Sequence, residues 1–328
     1  MKADIVRLLK SNNDFISGED ISQKFGVSRS AIWKYMNILR EEGYEIESVP
    51  RRGYRLIHSP DILTLEEIEE YLNTDFIGRN ILYYNSLSST NTEAKEVAKK
   101  VEEGTIVVAE EQTKGRGRLG RGWVSPKGKG IWMSLILKPK MSPLKVAKIT
   151  LIGAAAVNLA LKDMGIRSYI KWPNDIIIDN RKVSGILTEM NCELNMISHV
   201  IMGMGINIGL DKRDLSNQLA DKAISLREVV GGRVDRKKLL AYVLNRFEEL
   251  YIPFIRDGDI SRTIEISRQA SNLTGKDVRI IGSHTEKIGR VLTIDDEGQL
   301  VVEYDDGNIE KIFSGEVSIR GLRGYMDN

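Results

Sequence analysis

From about residue 167 to residue 209 the chain runs through "RSYIKWPNDIIID", "KVSGILTEM" and "HVIMGMGINIG", strand-like segments with no helical stretch between them. Parallel neighbours need a crossover of a dozen or more residues, usually a helix, whereas antiparallel ones need only a turn. The spacing therefore predicts a mixed or antiparallel sheet and argues against repeated βαβ units. Upstream, "ILYYNSL", "TIVVAEEQ" and "GIWMSLILKP" add strands, and "NTEAKEVAKKVEEG", "KVAKITLIGAAAVNLALKDMG" and "DRKKLLAYVLNRFEELYIPF" have helical periodicity. The central region is thus α+β. "GMGINIG" has GxGxxxG spacing and is followed by "LDKRD", which does not open a helix, so a dinucleotide-binding loop is excluded there.

The two ends have a different texture. In "MKADIVRLLKSNN" Ile5, Leu8 and Leu9 fall at helical spacing; Ser17 and Asp20 have capping-box spacing, and Gly26 is a natural helix stop. A third helix starts at Ser28, with Ile32, Met36 and Leu39 on one face and Arg29, Ser30, Trp33, Lys34 and Asn37 on the other. "YEIESVPRRGYRLI" then reads as a hairpin around an Arg-Arg-Gly turn. Three helices and a basic hairpin make a winged helix-turn-helix pattern. Ser28, Arg29, Ser30, Trp33, Lys34 and Asn37 would face bases in a major groove, and Arg51, Arg52 and Arg55 would meet phosphates. A protein-binding adaptor with solvated charge is the alternative. "HSPDIL" serves as a linker. After about residue 272, short strands separated by Gly and Asp-Gly turns suggest a small β-barrel or meander. The expected domains are 1–62, 63–271 and 272–328.

Composition narrows the partners. Forty-eight basic and 46 acidic side chains leave a formal charge of +2, so any nucleic-acid signal must be local. Cys192 is the only cysteine, which excludes an intrachain disulfide framework and suits a reducing compartment. The amphipathic N-terminus lacks a signal-peptide core, and the longest greasy run, "ITLIGAAAVNLAL", is 13 residues, too short for a bilayer. The expected setting is cytoplasmic, without a membrane partner.

Four stretches exceed the needs of scaffold. Ser88, Ser89, Thr90 and Asn91 lead into a helix; N-capping accounts for one of them, and together they offer several hydrogen-bond groups to a ligand. "TKGRGRLGRGWVSP", ending at Pro126, holds Gly115, Gly117, Gly120 and Gly122, which allow close backbone approach, and Arg116, Arg118 and Arg121, whose forked donors suit phosphate or carboxylate. Strand-like sequence on both sides makes it a loop or lid rather than a disordered RNA-binding tail. Trp123 after it is either core or a stacking surface. Trp172-Pro173-Asn174-Asp175 breaks a strand run; a turn explains it, and a carboxylate with an amide also suits Mg²⁺ or a nucleotide. Lys182 lies three residues before Gly185. His58, His199 and His284 are scattered, giving neither a Ser-His-Asp or Cys-His arrangement nor a zinc-ligand pattern, and no metal ligands are assigned.

Taken in order, "SSTN", "GRGRLGRGWVSP", "KWPND", "RKVSGIL", "GINI" and the terminal "FSGEVSIRG" resemble the bifunctional biotin–protein ligases that double as biotin operon repressors. The resemblance spans nearly the whole chain. It implies an N-terminal winged helix-turn-helix, a central class II synthetase-like mixed sheet and an SH3-like C-terminal piece. It also implies that Ser88, Ser89, Thr90, Gln112, Gly115, Arg116, Gly117, Arg118, Lys182, Gly185 and Gly205 hold biotin. Arg118, Arg121, Trp123, Asn174 and Asn207 would meet the nucleotide, and Lys182, Arg116 and Arg118 would serve catalysis. Leu119 takes a place often held by arginine, and Gly209 one often held by a polar residue. The implied co-substrates are ATP with Mg²⁺ and biotin, with biotinoyl-5′-AMP as corepressor. The implied partners are a biotin carboxyl carrier domain, operator DNA and, with the adenylate bound, a second copy of the chain. Two other readings stay open: a transcription factor that only senses biotin or its adenylate, and a ligase for another acid such as lipoate.

Overall fold

The computed structural model describes residues 1–193, 196–282, 285–313 and 318–322. His284 and four residues of "FSGEVSIRG", 314–317, fall outside the described residues. The chain forms two compact units, Met1–Glu70 and Tyr71–Asn328.

In the first unit, α1 (Lys2–Lys10), α2 (Gly18–Phe25) and α3 (Arg29–Glu41) precede a hairpin of β1 (Glu45–Val49) and β2 (Gly53–His58). Ser17 and Ser28 cap α2 and α3, accepting from the amides of Asp20 at 3.0 Å and Ala31 at 3.2 Å. Gly26 ends α2 in the left-handed conformation that glycine takes without strain (φ 64°). Ile5, Leu9, Ile21, Ile32, Met36 and Leu39 build the core.

This unit extends beyond the expected boundary at residue 62. A short helix, α4 (Leu65–Ile68), belongs to it, because the fully buried Glu67 accepts from the Tyr44 hydroxyl at 2.9 Å and pairs with Lys10 at 2.9 Å. A buried carboxylate is tolerable only where such partners satisfy it.

In the second unit a seven-stranded sheet has the order β3-β4-β5-β9-β8-β7-β6. Its strands are β3 (Ile81–Tyr84), β4 (Ile106–Ala109), β5 (Gly130–Leu137), β6 (Tyr169–Lys171), β7 (Asp175–Ile178), β8 (Arg181–Glu193) and β9 (Met196–Asn207). Only β3 and β4 run parallel, with α5 (Thr90–Val97) in the crossover between them; the other neighbours are antiparallel. The sheet is mixed, as the segment spacing predicts.

Against it pack α6 (Val146–Asp163) and α9 (Arg236–Asp257), with the short α7 (Asn217–Ala220) and α8 (Leu226–Val230) between β9 and α9, and α10 (Ser261–Gln269) after it. The helical segment around α6, residues 143–163, exceeds the 13-residue apolar run and would reach across a bilayer by length alone. It is instead mostly buried as a core helix.

The chain ends in a five-stranded antiparallel sheet of β10 (Asp277–Ile281), β11 (Glu286–Ile294), β12 (Leu300–Tyr304), β13 (Ile309–Ile312) and β14 (Ser318–Gly321). The order is β13-β12-β11-β10-β14. Within the second unit this sheet is tied to the rest of the chain: the Trp172 indole donates to the Gly298 carbonyl at 3.0 Å, and Arg268 pairs with Asp296 at 2.7 Å.

Candidate active site

β8 and β9 set Gly185 opposite Gly205, and β5 sets Trp132 on the other side of Gly205. These glycines are open backbone that other groups approach closely. A Cβ on Gly205 would lie 2.4 Å from Trp123 Nε1, and one on Gly203 would lie 2.2 Å from Asn91 Oδ1. The glycine-rich "GMGINIG" is therefore the floor of a site inside a strand. Above it opens a cavity of about 1180 Å³.

One wall is polar. The amide and hydroxyl of Thr90 both donate to Gln112 Oε1, at 2.8 and 3.1 Å, and Gln112 Nε2 donates to Ser125 Oγ at 2.9 Å. Ser89, Thr90 and Asn91 line the cavity. Ser88 does not: it is exposed, and its carbonyl accepts from the Lys114 amide at 2.8 Å, tying down the base of the arginine loop.

That loop is a small hairpin. Trp123 N donates to Gly115 O at 2.9 Å and Gly117 N to Arg121 O at 2.7 Å, with a bridge between Arg116 and Gly122. Its tip turns at Leu119, exposed and left-handed (φ 55°), and Gly120 (φ 70°). Gly115, Arg116, Gly117, Arg118, Arg121 and Trp123 all line the cavity. Arg118 crosses it to donate to Asn174 Oδ1 at 2.7 Å, and burial pulls the Arg118 pKa down.

The far end is cationic. Lys182 pairs with Asp175 at 2.5 Å and sits 5.0 Å from the centre of the Trp123 ring. Lys171, 4% exposed, faces Asp175 across the β6–β7 pair. Its pKa is pushed down to about 7, chiefly by burial and further by Arg320, Lys182 and Arg121, while Asp175 works against the shift. Arg320 on β14 completes the group. Trp123 Nε1 and Asn207 Oδ1 are buried without a hydrogen-bond partner among the described residues, although Asn207 Nδ2 donates to Ile224 O at 3.2 Å. A donor and an acceptor thus stand ready for a ligand.

The structure brings together every expected ligand residue except Ser88, together with Asn91 and Asp175, which the sequence offered as ligand groups, and adds Lys171, Ser125 and Arg320. Lys171 and Asp175 bracket the "KWPND" motif, and Asn91 belongs to "SSTN", so their motifs carried a signal. Arg320 had none.

In the first unit, Arg29, Ser30, Trp33 and Lys34 are exposed on α3, Asn37 is half-buried beside Arg40, and Ser28 caps the helix. Arg51 and Arg52 are exposed on the wing; Arg55 is half-buried, bonded to Glu47 at 2.7 Å and stacked 4.7 Å from the Phe15 ring centre.

Residues 83–207 match the biotin/lipoate A/B protein ligase family, residues 2–55 an HTH domain, and residues 274–320 the biotin protein ligase C-terminal domain. The bifunctional ligase/repressor BirA of Bacillus subtilis is 40% identical over 97% of this chain and 98% of its own length. The chain belongs to the bifunctional ligase/repressor family. Its Escherichia coli relative is 28% identical over 95% of both chains. The solved biotin protein ligase of Aquifex aeolicus, in complex with biotin and ATP, is 31% identical with a TM-score of 0.66. It covers 74% of this chain and 99% of its own, so it aligns with a part of this ligase/repressor.

Proposed function

We propose that this ligase/repressor joins biotin to ATP, hands the biotinoyl group to a lysine of a carrier domain, and in its adenylate-bound form represses transcription from operator DNA. The observation that carries the ligase half is a single cavity running from the Thr90–Gln112 hydrogen-bonding wall to the cationic cluster of Lys182, Arg118, Arg121, Lys171 and Arg320.

A carboxylate is a poor acyl donor. One biotin carboxylate oxygen attacks the α-phosphorus of ATP, the bond to the β-phosphate oxygen breaks, and pyrophosphate leaves with its electron pair. Negative charge accumulates on the phosphoryl oxygens, where Lys182, Arg116 and Arg118 are placed to stabilise it without covalent catalysis. Binding this charge competes with the Lys182–Asp175 pair and frees the ammonium for phosphate.

Among the described residues no three His, Cys, Asp or Glu side chains cluster as metal ligands. Mg²⁺ suits such a site, because it commonly stays on substrate phosphates with one or two carboxylates, and Asp175 would supply one. Bound there, it would neutralise phosphate charge.

Trp123 and Asn207 offer their unpaired donor and acceptor to the nucleotide base. In the second step the carrier's lysine amine attacks the acyl carbon, an amide bond forms and AMP departs. The arginine hairpin shields the mixed anhydride from water between the two steps.

The repressor half rests on the exposed basic face of α3 and the wing. A dimer would hold two such units for two half-sites, and the adenylate, as corepressor, would favour that dimer by linkage. The one cysteine suits a cytoplasmic setting.

The test is to mix the protein with biotin, ATP, Mg²⁺ and a carrier domain, and to weigh the carrier. A gain of one biotinyl mass is expected. No gain would refute the ligase reading, and a gain seen only with lipoate would reassign the acid.

A further inference from the structure

Phe15 is a large apolar side chain with no part in the core of its unit. Its neighbour Ile16 packs against that core with Tyr54, whereas Phe15 is half-buried outside it. Its ring meets charge instead: the Arg52 guanidinium carbon lies 4.2 Å from the ring centre and that of Arg55 4.7 Å.

The backbone fixes this arrangement. Ile16 and Tyr54 exchange both amide hydrogen bonds, each 2.9 Å, in an antiparallel bridge, which brings Phe15 opposite Arg55. Gly53 lets the wing come this close: its φ is 106°, and a Cβ there would lie 2.0 Å from the Ile16 carbonyl oxygen. Arg52 reaches the ring from the turn between β1 and β2.

A guanidinium is planar, with its N–H donors in the plane. Stacking on an aromatic ring engages the flat face and leaves the donor edge for acceptors. Those edges meet carboxylates of the same unit, Asp14 at 3.4 Å from Arg52 and Glu47 at 2.7 Å from Arg55. Both pairs are solvated, with Asp14 83% and Glu47 41% exposed, and pairs of this kind are weak and screened by salt. A phosphate oxygen can replace either carboxylate while the ring contact stays.

We propose that Phe15 is a positioning residue for DNA binding: its ring holds Arg52 and Arg55 with their donor edges presented to phosphate, so that the wing binds without first ordering two long side chains. The proposal rests on the reading that the wing meets DNA phosphates. Ordering a rotamer-rich side chain on binding weakens affinity by a factor of about two to ten. Loss of the ring should therefore cost about tenfold for the two arginines together. The charge that meets the phosphates is unaltered, so the salt dependence should not change.

The probe is a labelled duplex selected from a random-sequence pool by the full-length wild-type protein with biotin, ATP and Mg²⁺ present. Its affinity is measured across a range of salt concentrations. Phe15→Leu, which keeps an apolar side chain, should bind about tenfold more weakly throughout with the wild-type slope. Phe15→Tyr, which keeps a ring, should bind as wild type does. Arg52→Ala with Arg55→Ala should lose affinity and flatten the slope by about one unit per lost contact, and in that background Phe15→Leu should cost nothing further. In Arg51→Ala, which keeps both stacked arginines, the cost of Phe15→Leu should remain.

If no duplex is selected, or if the Arg52/Arg55 variant binds with wild-type affinity and slope, the wing does not meet phosphates and Phe15 has no such role. If that variant binds weakly while Phe15→Leu keeps wild-type affinity, the wing reading stands and the positioning role is refuted. A Phe15→Leu cost as large without the two arginines as with them refutes it too, and makes Phe15 a support of the fold alone.

Discussion

Lys182 stands between two partners of opposite kind, the Asp175 carboxylate and the face of Trp123. Lys182→Ala should slow pyrophosphate release by on the order of 10²-fold, the scale of one lost charge-stabilising donor; near-normal release would exclude its assigned role. Lys171 gives a pH signature. An unfolded lysine titrates near 10.4, whereas burial holds this one at about 7 in the fold. Between those values the unfolded chain binds more protons than the folded one, so this residue's contribution to stability rises as pH rises through the window. The slope is at most about 1.4 kcal/mol per pH unit. Below about pH 7 the penalty of burying the charge is present in full. Denaturant titrations of wild type and Lys171→Met should show a stability difference that shifts in favour of wild type from about pH 7.5 to 9.5; a flat difference would show that Lys171 is not held neutral.

At the scale of elements, the turn before β3 is fixed by α9. Glu248, 5% exposed, accepts from the amides of Asp75, Phe76 and Ile77 at 2.5, 3.0 and 2.8 Å. Glu248→Gln sets an NH₂ against an amide N–H and should cost about 3 kcal/mol in chemical unfolding, on the scale of charged hydrogen bonds. A loss below about 0.5 kcal/mol would show that the turn holds itself. Nothing in "EELYIPF" distinguishes Glu248 from its solvated neighbour Glu249, because partners some 170 positions away leave no local trace. The same limit explains what the sequence reading missed. The hairpin at "KWPND" and the strand through "GMGINIG" were legible because a strand period and a turn are local patterns, whereas Gly185 and Gly205 came with the family resemblance. The motif order brought Lys182, Arg118, Asn174 and Gln112 to one list, and the fold brings them to one cavity. α10 was hidden by its short, weakly apolar period, and nothing local ties α4 to the first unit, because Glu67 meets Tyr44 and Lys10 from far along the chain. Ser88 looked like a ligand group because a run of hydroxyls does not reveal which one turns outwards.

Across the whole molecule, the exposed face of α3 and the wing lies in Met1–Glu70, while the cavity lies wholly in Tyr71–Asn328. Arg29→Ala with Lys34→Ala should therefore abolish operator retention and leave carrier labelling intact; loss of labelling as well would break the modular division. Arg51→Ala with Arg52→Ala, on the wing, should weaken binding evenly across sequences and reduce the salt dependence by about one unit of slope per lost phosphate contact. An unchanged slope would remove the wing from the DNA interface. The cavity wall itself is gathered from Ser89 to Arg320, on the last strand among the described residues. Synthesis runs from the N-terminus, and domains fold as they emerge. On the ribosome the first unit has its complete sequence once Glu70 is added, whereas the catalytic chamber lacks one of its cations until Arg320 follows. Each molecule thus passes through a period in which it is built to read an operator and is not yet equipped to make the adenylate.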